Sequence, residues 1–207
     1  MRFSEKREKR IRWLVRTLNR ARKRQAGKID ILCNDFIGAQ RNFIKKLDVI
    51  AYTADFYESM LGIKDLQTLL NKSRIHISEM VSDASVAFFF RNSTGFEKHI
   101  DPDPAENKTD GPIFHEAITD EVAADICTLN KICTLEELLA VGLVWNPKYL
   151  NKLTAVTIPL GKMGSCIGFI LLYRVDGDRL NCSEINYVYS ISSGLSRAVK
   201  SCLMLQP

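Results

Sequence analysis

Leu153-Thr-Ala-Val-Thr-Ile-Pro-Leu160 and Cys166-Ile-Gly-Phe-Ile-Leu-Leu-Tyr173 are two β-branched and aromatic runs separated by only Gly161-Lys-Met-Gly-Ser165. Runs of eight such residues around a glycine-containing link predict an antiparallel hairpin. After the turn signal Asp176-Gly-Asp178, Ser183 is the expected N-cap of a closing helix. Its apolar side would carry Ile185, Val188, Tyr189, Ile191, Ser192, Leu195, Val199 and Leu203 at helical spacing. A hairpin followed at once by a helix long enough to lie across it predicts a sheet with one face covered by that helix.

Upstream, Leu66 to Val81 has helical spacing, and Ala84-Ser-Val-Ala-Phe-Phe-Phe-Arg91 is a further strand candidate. Together with Ile158-Pro159-Leu160 ending one core strand, Ile167-Gly168-Phe169-Ile170 opening the next, and the helix from Ser183, this pattern resembles a GAF domain, the ligand-sensing module related to PAS domains. The resemblance covers about residues 64 to 203, with its motifs lying outside 92–152. It implies an α+β fold: a central antiparallel β-sheet flanked by helices and, in this chain, preceded by a long N-terminal helix. The expected organisation is a basic amphipathic helical segment at 1–28, a dimerisation helix at 29–62 and a GAF-like domain at 63–207.

The chain has 207 residues, 46% of them hydrophobic, enough for one substantial core plus an appendage. No apolar run reaches the roughly 18–20 residues that cross a bilayer, and the basic N-terminus leads into no uncharged apolar stretch, so a cytoplasmic protein without a transmembrane segment is expected. Six cysteines (33, 127, 133, 166, 182 and 202) form no CxxC pair, and no metal site is expected. Cys33, Cys166 and Cys202 have apolar sequence neighbours and read as core thiols.

The net charge of +5 conceals an asymmetry. Residues 1–28 hold twelve Lys or Arg against Glu5 and Glu8, a balance of +10, whereas the remainder is −5. Arg12, Arg16, Arg20, Arg22, Lys23 and Arg24 are the centre of this basic patch, beside an apolar stripe of Ile11, Leu14, Val15 and Leu18. Such a helix suits an anionic surface, whether nucleic acid or lipid, or an acidic protein; it equally suits a solvated leader of a longer helix. From Ile29 onward every seventh residue is apolar: Ile29, Phe36, Phe43, Ile50 and Tyr57. A sustained heptad predicts packing against a partner helix, hence a homodimer interface. The companion positions Leu32, Ala39, Lys46, Thr53 and Met60 are mixed, and the alternative is a helix that packs on its own domain. Gly27 is expected to loosen the join between the two segments, and Gly62 to end the helix.

In the middle of the chain, Asp101 to Pro112 reads as a Pro-broken loop, with helices expected from Thr119 or Asp120 and across Thr134–Val141. The candidate ligand-binding residues are Phe88, Phe90, Phe114, His115, Trp145 and Tyr149, aromatic groups that suit a planar ligand, though such residues are also ordinary core. No cofactor can be named. The resemblance supplies one chemical comparison: cyclic-nucleotide-binding relatives carry Asn-Lys after the last hairpin strand, then Phe and Asp-Glu heading the terminal helix. The corresponding residues are Tyr173, Arg174, Leu180, Glu184 and Ile185, so only two charges remain and that recognition is not expected. Asn107-Lys108, Phe114 and Asp120-Glu121 repeat the letters elsewhere in the chain. Some free-standing relatives reduce methionine sulfoxide with several cysteines; Cys127 and Cys133 fall in that region without reproducing a pattern. His76, His99 and His115 form no metal pair, and no phosphate loop or nucleophile elbow is present. The expectation is a non-enzymatic sensory or regulatory protein, with no catalytic residues, that binds a small molecule or a signalling partner and acts through a dimeric helical bundle. The alternative is a scaffold that uses its basic helix on nucleic acid or membrane.

Overall fold

In the computed structural model of the chain the residues described are 2–100, 114–162, 165–175 and 178–205, without the side chains of 2–6, 8 and 205. The expected loop at 101–112, with Asn107-Lys108, therefore lies outside the described residues, as do parts of the two turns (163–164 and 176–177). The chain divides into two units, 1–48 and 49–207.

Helix α1 (Arg2–Met60) runs through Gly27 without interruption and supplies all of the first unit. There, every described side chain is exposed. That includes Cys33, which corrects its reading as a core thiol: its apolar neighbours in sequence do not share a buried face.

The second unit begins with the last turns of α1. Leu61 and Gly62 follow the helix end, Gly62 with φ +78 in the left-handed region, as a helix-stopping glycine requires. Helix α2 (Leu66–Met80) is capped by Asp65, whose carboxylate accepts from the Thr68 N–H at 2.7 Å. Strand β1 (Ser85–Arg91) turns through Asn92-Ser-Thr-Gly95 into β2 (Phe96–Ile100). A 3-10 turn (Phe114–Ala117) precedes α3 (Asp120–Leu129), β3 (Cys133–Thr134), α4 (Leu135–Ala140) and the short α5 (Pro147–Leu150). The hairpin is β4 (Leu153–Leu160) and β5 (Gly168–Val175), and α6 (Cys182–Leu205) closes the chain. Asn181, not Ser183, caps α6: its Oδ1 accepts from the Glu184 N–H at 2.9 Å while Glu184 Oε2 accepts from the Asn181 N–H at 2.7 Å, a reciprocal capping box.

The five strands among the described residues pair antiparallel in the order β2-β1-β5-β4-β3. The central strands are covered on both faces, and for that reason they read as continuous apolar runs instead of alternating ones. Val86, Phe88, Phe90, Val156, Ile158, Ile170 and Leu172 enter one core with Tyr52, Phe56 and Met60 of α1, Leu69 and Ile77 of α2, and Val188, Ile191, Leu195 and Val199 of α6. Ala87, Phe89, Ala155, Phe169, Leu171 and Tyr173 enter the other, with Phe114, Ile118, α3 and Leu138. Gly168 of the Ile-Gly-Phe motif pairs with Phe90, and a Cβ at its φ of +156 would overlap the Phe89 carbonyl oxygen. Only glycine lets β5 approach β1 at that point.

Candidate functional site

The sheet places the six nominated aromatic positions on two different faces. Phe88 and Phe90 point into the core shared with α1, α2 and α6, their rings stacked 6.4 Å apart. Phe114, His115 and Trp145 gather on the opposite side, and Tyr149 stands half-buried on α5. One pocket lined by all six is therefore ruled out; adjacent strand positions i and i+2 share a face, but the sheet itself divides them from the residues of the 3-10 turn.

The second group has a defined geometry. His115 Nδ1 lies 3.0 Å from Tyr173 Oη, both groups buried. Phe114 meets Trp145 edge-to-face at 5.1 Å and tilts on Tyr173 at 5.4 Å. Tyr173, expected at the end of the strand but not nominated as a site residue, links this cluster to the central strand. The Trp145 Nε1–H is buried and has no hydrogen-bond partner among the described residues, a donor suited to a bound acceptor.

The positions that correspond to the cyclic-nucleotide motif close on one another. Arg174 donates to Ser82 O (2.6 Å), Asp178 O (2.8 Å) and Glu184 Oε1 (3.2 Å), and the ion pair is mostly buried, 7% and 15% exposed at the side chains. The two charges compensate each other and tie the start of α6 to the end of β5 and to the α2–β1 connection.

Clefts open on the second unit, among them a small one of about 200 Å³ beside Arg174 and Glu184. Another of about 210 Å³ lies between α2 and the β1–β2 edge, with Arg74, Phe88, Lys98 and His99 in its lining. A wider groove of about 680 Å³ runs between the β4–β5 turn and α6, lined by Lys162, Arg197, Lys200 and the hydroxyls of Ser190, Ser193 and Ser196. Of the linings of these last two, sequence reading nominated only Phe88, in the first, because each joins residues distant in the chain. No group of His, Cys, Asp and Glu suited to a metal ion occurs among the described residues.

On α1 the heptad residues are outward-facing: Ile29 is 58% exposed, Phe36 70%, Phe43 61%, Ile50 63% and Tyr57 42%. The buried face of the last turns is a different one, Tyr52, Phe56 and Met60 at i, i+4 and i+8. Tyr57 is partly engaged within the unit, its ring lying over Gly194 where any Cβ would overlap it. Of the basic patch, Arg12, Arg16, Arg20, Arg22, Lys23 and Arg24 are all exposed. No described helix is long and apolar enough to cross a membrane.

No protein-family model matches the sequence, and no curated protein matches it. Solved structures do match the architecture. The GAF domain/HD domain protein from Geobacter sulfurreducens is 16% identical, with 70% of this chain and 99% of that chain covered at TM-score 0.52. The GAF domain of the Acinetobacter phosphoenolpyruvate-protein phosphotransferase is 9% identical, with 76% and 96% covered at TM-score 0.54. Residues 122 to 287 of a methyl-accepting chemotaxis protein are 10% identical, with 75% and 99% covered at TM-score 0.52. The chain thus has a GAF-like α+β fold.

Proposed function

We propose that this is a non-enzymatic, cytoplasmic regulatory protein that works as a homodimer joined through α1, with a small molecule or signalling partner bound on the GAF-like domain. The observation that carries the reading is the row Ile29, Phe36, Phe43 and Ile50, four large apolar side chains repeating every seven residues and each more than half exposed. A second copy of the same helix presents the same row at the same spacing, and a strict seven-residue repeat is what two such helices need to bury one another. Because the same α1 also places Tyr52, Phe56 and Met60 in the core against α2 and α6, a change in how that core packs would be felt by the dimer helix. The Trp145 indole N–H is the donor we assign to orienting a ligand on the other sheet face, beside the buried His115–Tyr173 pair.

Native mass spectrometry of the full chain, purified gently from its own cells, tests this reading. A dimer carrying a discrete added mass supports it; a monomer across the micromolar range overturns it. Hydrogen exchange across residues 29–61 then tests the coupling, which fails if the co-purified ligand leaves those amides unchanged. A second reading rests on the six exposed cations of residues 12–24: a scaffold held to nucleic acid or anionic lipid. It requires that binding disappear on deleting residues 1–26 and weaken steeply with salt.

A further inference from the structure

Residues 29–207 carry a net charge of −5, yet the groove between the β4–β5 connection and α6 is lined by Lys162, Arg197 and Lys200 and by no Asp or Glu. Among the described residues none of these three cations has an ion-pair partner. Two of them belong to one stripe of α6. Tyr189, Ser193, Arg197 and Lys200 follow at i, i+4, i+8 and i+11, so they line a single side of the helix over about 16 Å at 1.5 Å per residue.

Lys162 stands on the other wall, where the connection leaves β4. The Ser165 N–H donates to the Lys162 carbonyl at 2.9 Å, and the Ile167 N–H donates to Leu160 O at 2.9 Å, so the connection closes back onto the strand end. Gly161 makes this possible: its φ is +127, and a Cβ there would overlap the Ser165 carbonyl oxygen. The wall that carries Lys162 is thus fixed by backbone bonds.

Three cations on two walls repel one another unless an anion lies between them. An arginine fork and two lysine ammonium groups are suited to phosphate oxygens. A terminal phosphate carries about 1.5–2 negative charges at pH 7, so three cations match two phosphate groups better than one. At about 680 Å³ the groove also falls within the range of about 300–1,000 Å³ usual for small-molecule sites. The remaining lining suits the organic part of such a ligand. Tyr189 offers a ring that is 52% exposed. Ser192 and Ser196 already donate to Tyr189 O (2.8 Å) and Ser193 O (3.1 Å), which leaves their oxygens to accept. Asn130, at the end of α3, has its Oδ1 buried with no hydrogen-bond partner among the described residues.

We propose that this groove binds a small molecule bearing two phosphate groups, with the phosphates between Lys162 and the Arg197–Lys200 pair and the organic part along Tyr189 and Asn130. The site does not include Trp145 and does not depend on pairing through α1, so it goes beyond the function proposed above and can fail without it.

Titration calorimetry of sodium pyrophosphate into the full chain, at roughly physiological salt so that diffuse attraction is screened, tests the site. Saturable binding at one site per chain is expected. Arg197→Gln/Lys200→Gln should weaken it about a hundredfold, about tenfold for each charge-assisted contact removed. Arg20→Gln/Arg24→Gln takes the same charge from the basic segment and should change the affinity by less than about twofold. Ser193 is exposed, so Ser193→Trp fills the groove without entering the core and keeps all three cations; binding should be lost. An absence of binding at millimolar pyrophosphate, equal losses from the two double substitutions, or undiminished binding in Ser193→Trp would each overturn the proposal.

Discussion

Replacing Arg174 by alanine should destabilise the second unit by about 3 kcal/mol, and the structure shows where that figure comes from. The guanidinium supplies one charge-assisted bond to Glu184 and two bonds to the carbonyls of Ser82 and Asp178. All three have the charged guanidinium as donor, and such a bond contributes about 1.5–3 kcal/mol, so the gross loss is about 4.5–9 kcal/mol before water compensates the carbonyls. Ser82 and Asp178 are exposed residues, and water can take over part of what their carbonyls lose. Glu184 keeps its bond from the Asn181 N–H but remains as a carboxylate at a side-chain exposure of 15%, and truncating one member of such a pair is costly. At about 2–4 °C per kcal/mol for a unit of this size, the midpoint of thermal unfolding should fall by about 6–12 °C. Urea unfolding followed by Trp145 fluorescence in a Trp13→Phe background measures the loss in this unit. A double-mutant cycle with Glu184→Gln isolates the pair, with a coupling of about 1–2 kcal/mol expected. A loss below about 1 kcal/mol, or additive single substitutions, would show that this ion pair does not hold α6 to the sheet.

Three other outcomes follow from particular contacts. Phe36→Asp/Phe43→Asp should convert a dimer to monomer in sedimentation, since each large side chain yields about 1.5–3 kcal/mol on burial; helix content should stay unchanged, and an unaltered dimer would place the interface elsewhere. Gly168→Ala forces a Cβ against the Phe89 backbone in the sheet centre, with an expected loss of about 2–5 kcal/mol by urea titration; a loss under about 1 would mean that β5 shifts freely. Asp65 is held below its ordinary 3.8, chiefly by the Thr68 hydroxyl and then by the Thr68 N–H. Its charge therefore stabilises the fold above pH 3.8, and that contribution disappears as pH falls through the lowered folded value. The difference in urea midpoint between the natural protein and Asp65→Asn should close over that acid range, and a gap independent of pH would remove the carboxylate from the account.

Much of the fold was legible because local chemistry and tertiary placement agree. Leu153–Leu160 and the Ile-Gly-Phe run had to be strands, buried on both faces, and α3 and α4 began where Thr119 and Thr134 predicted. Where the reading missed, the signal was weak for a physical reason. β2, Phe-Glu-Lys-His-Ile, is an edge strand with a polar face, and its best clue was the turn Asn92-Ser-Thr-Gly95, where Asn92 Oδ1 accepts from the Thr94 N–H at 2.9 Å. At α6, Ser183 and Asn181 are both good caps in isolation; the reciprocal bonds with Glu184 select Asn181.

By itself, then, the sequence determined the element types, the antiparallel hairpin, the basic N-terminal segment and the seven-residue apolar row, since periodicity, turn chemistry and charge are local properties of a chain. Only the tertiary structure decided which side of the sheet each aromatic ring enters, that Arg174 closes on Glu184, and that His115 meets Tyr173. Those contacts join residues whose separation along the chain carries no information about their distance in space, and they are fixed by strand register and by which helix covers which face.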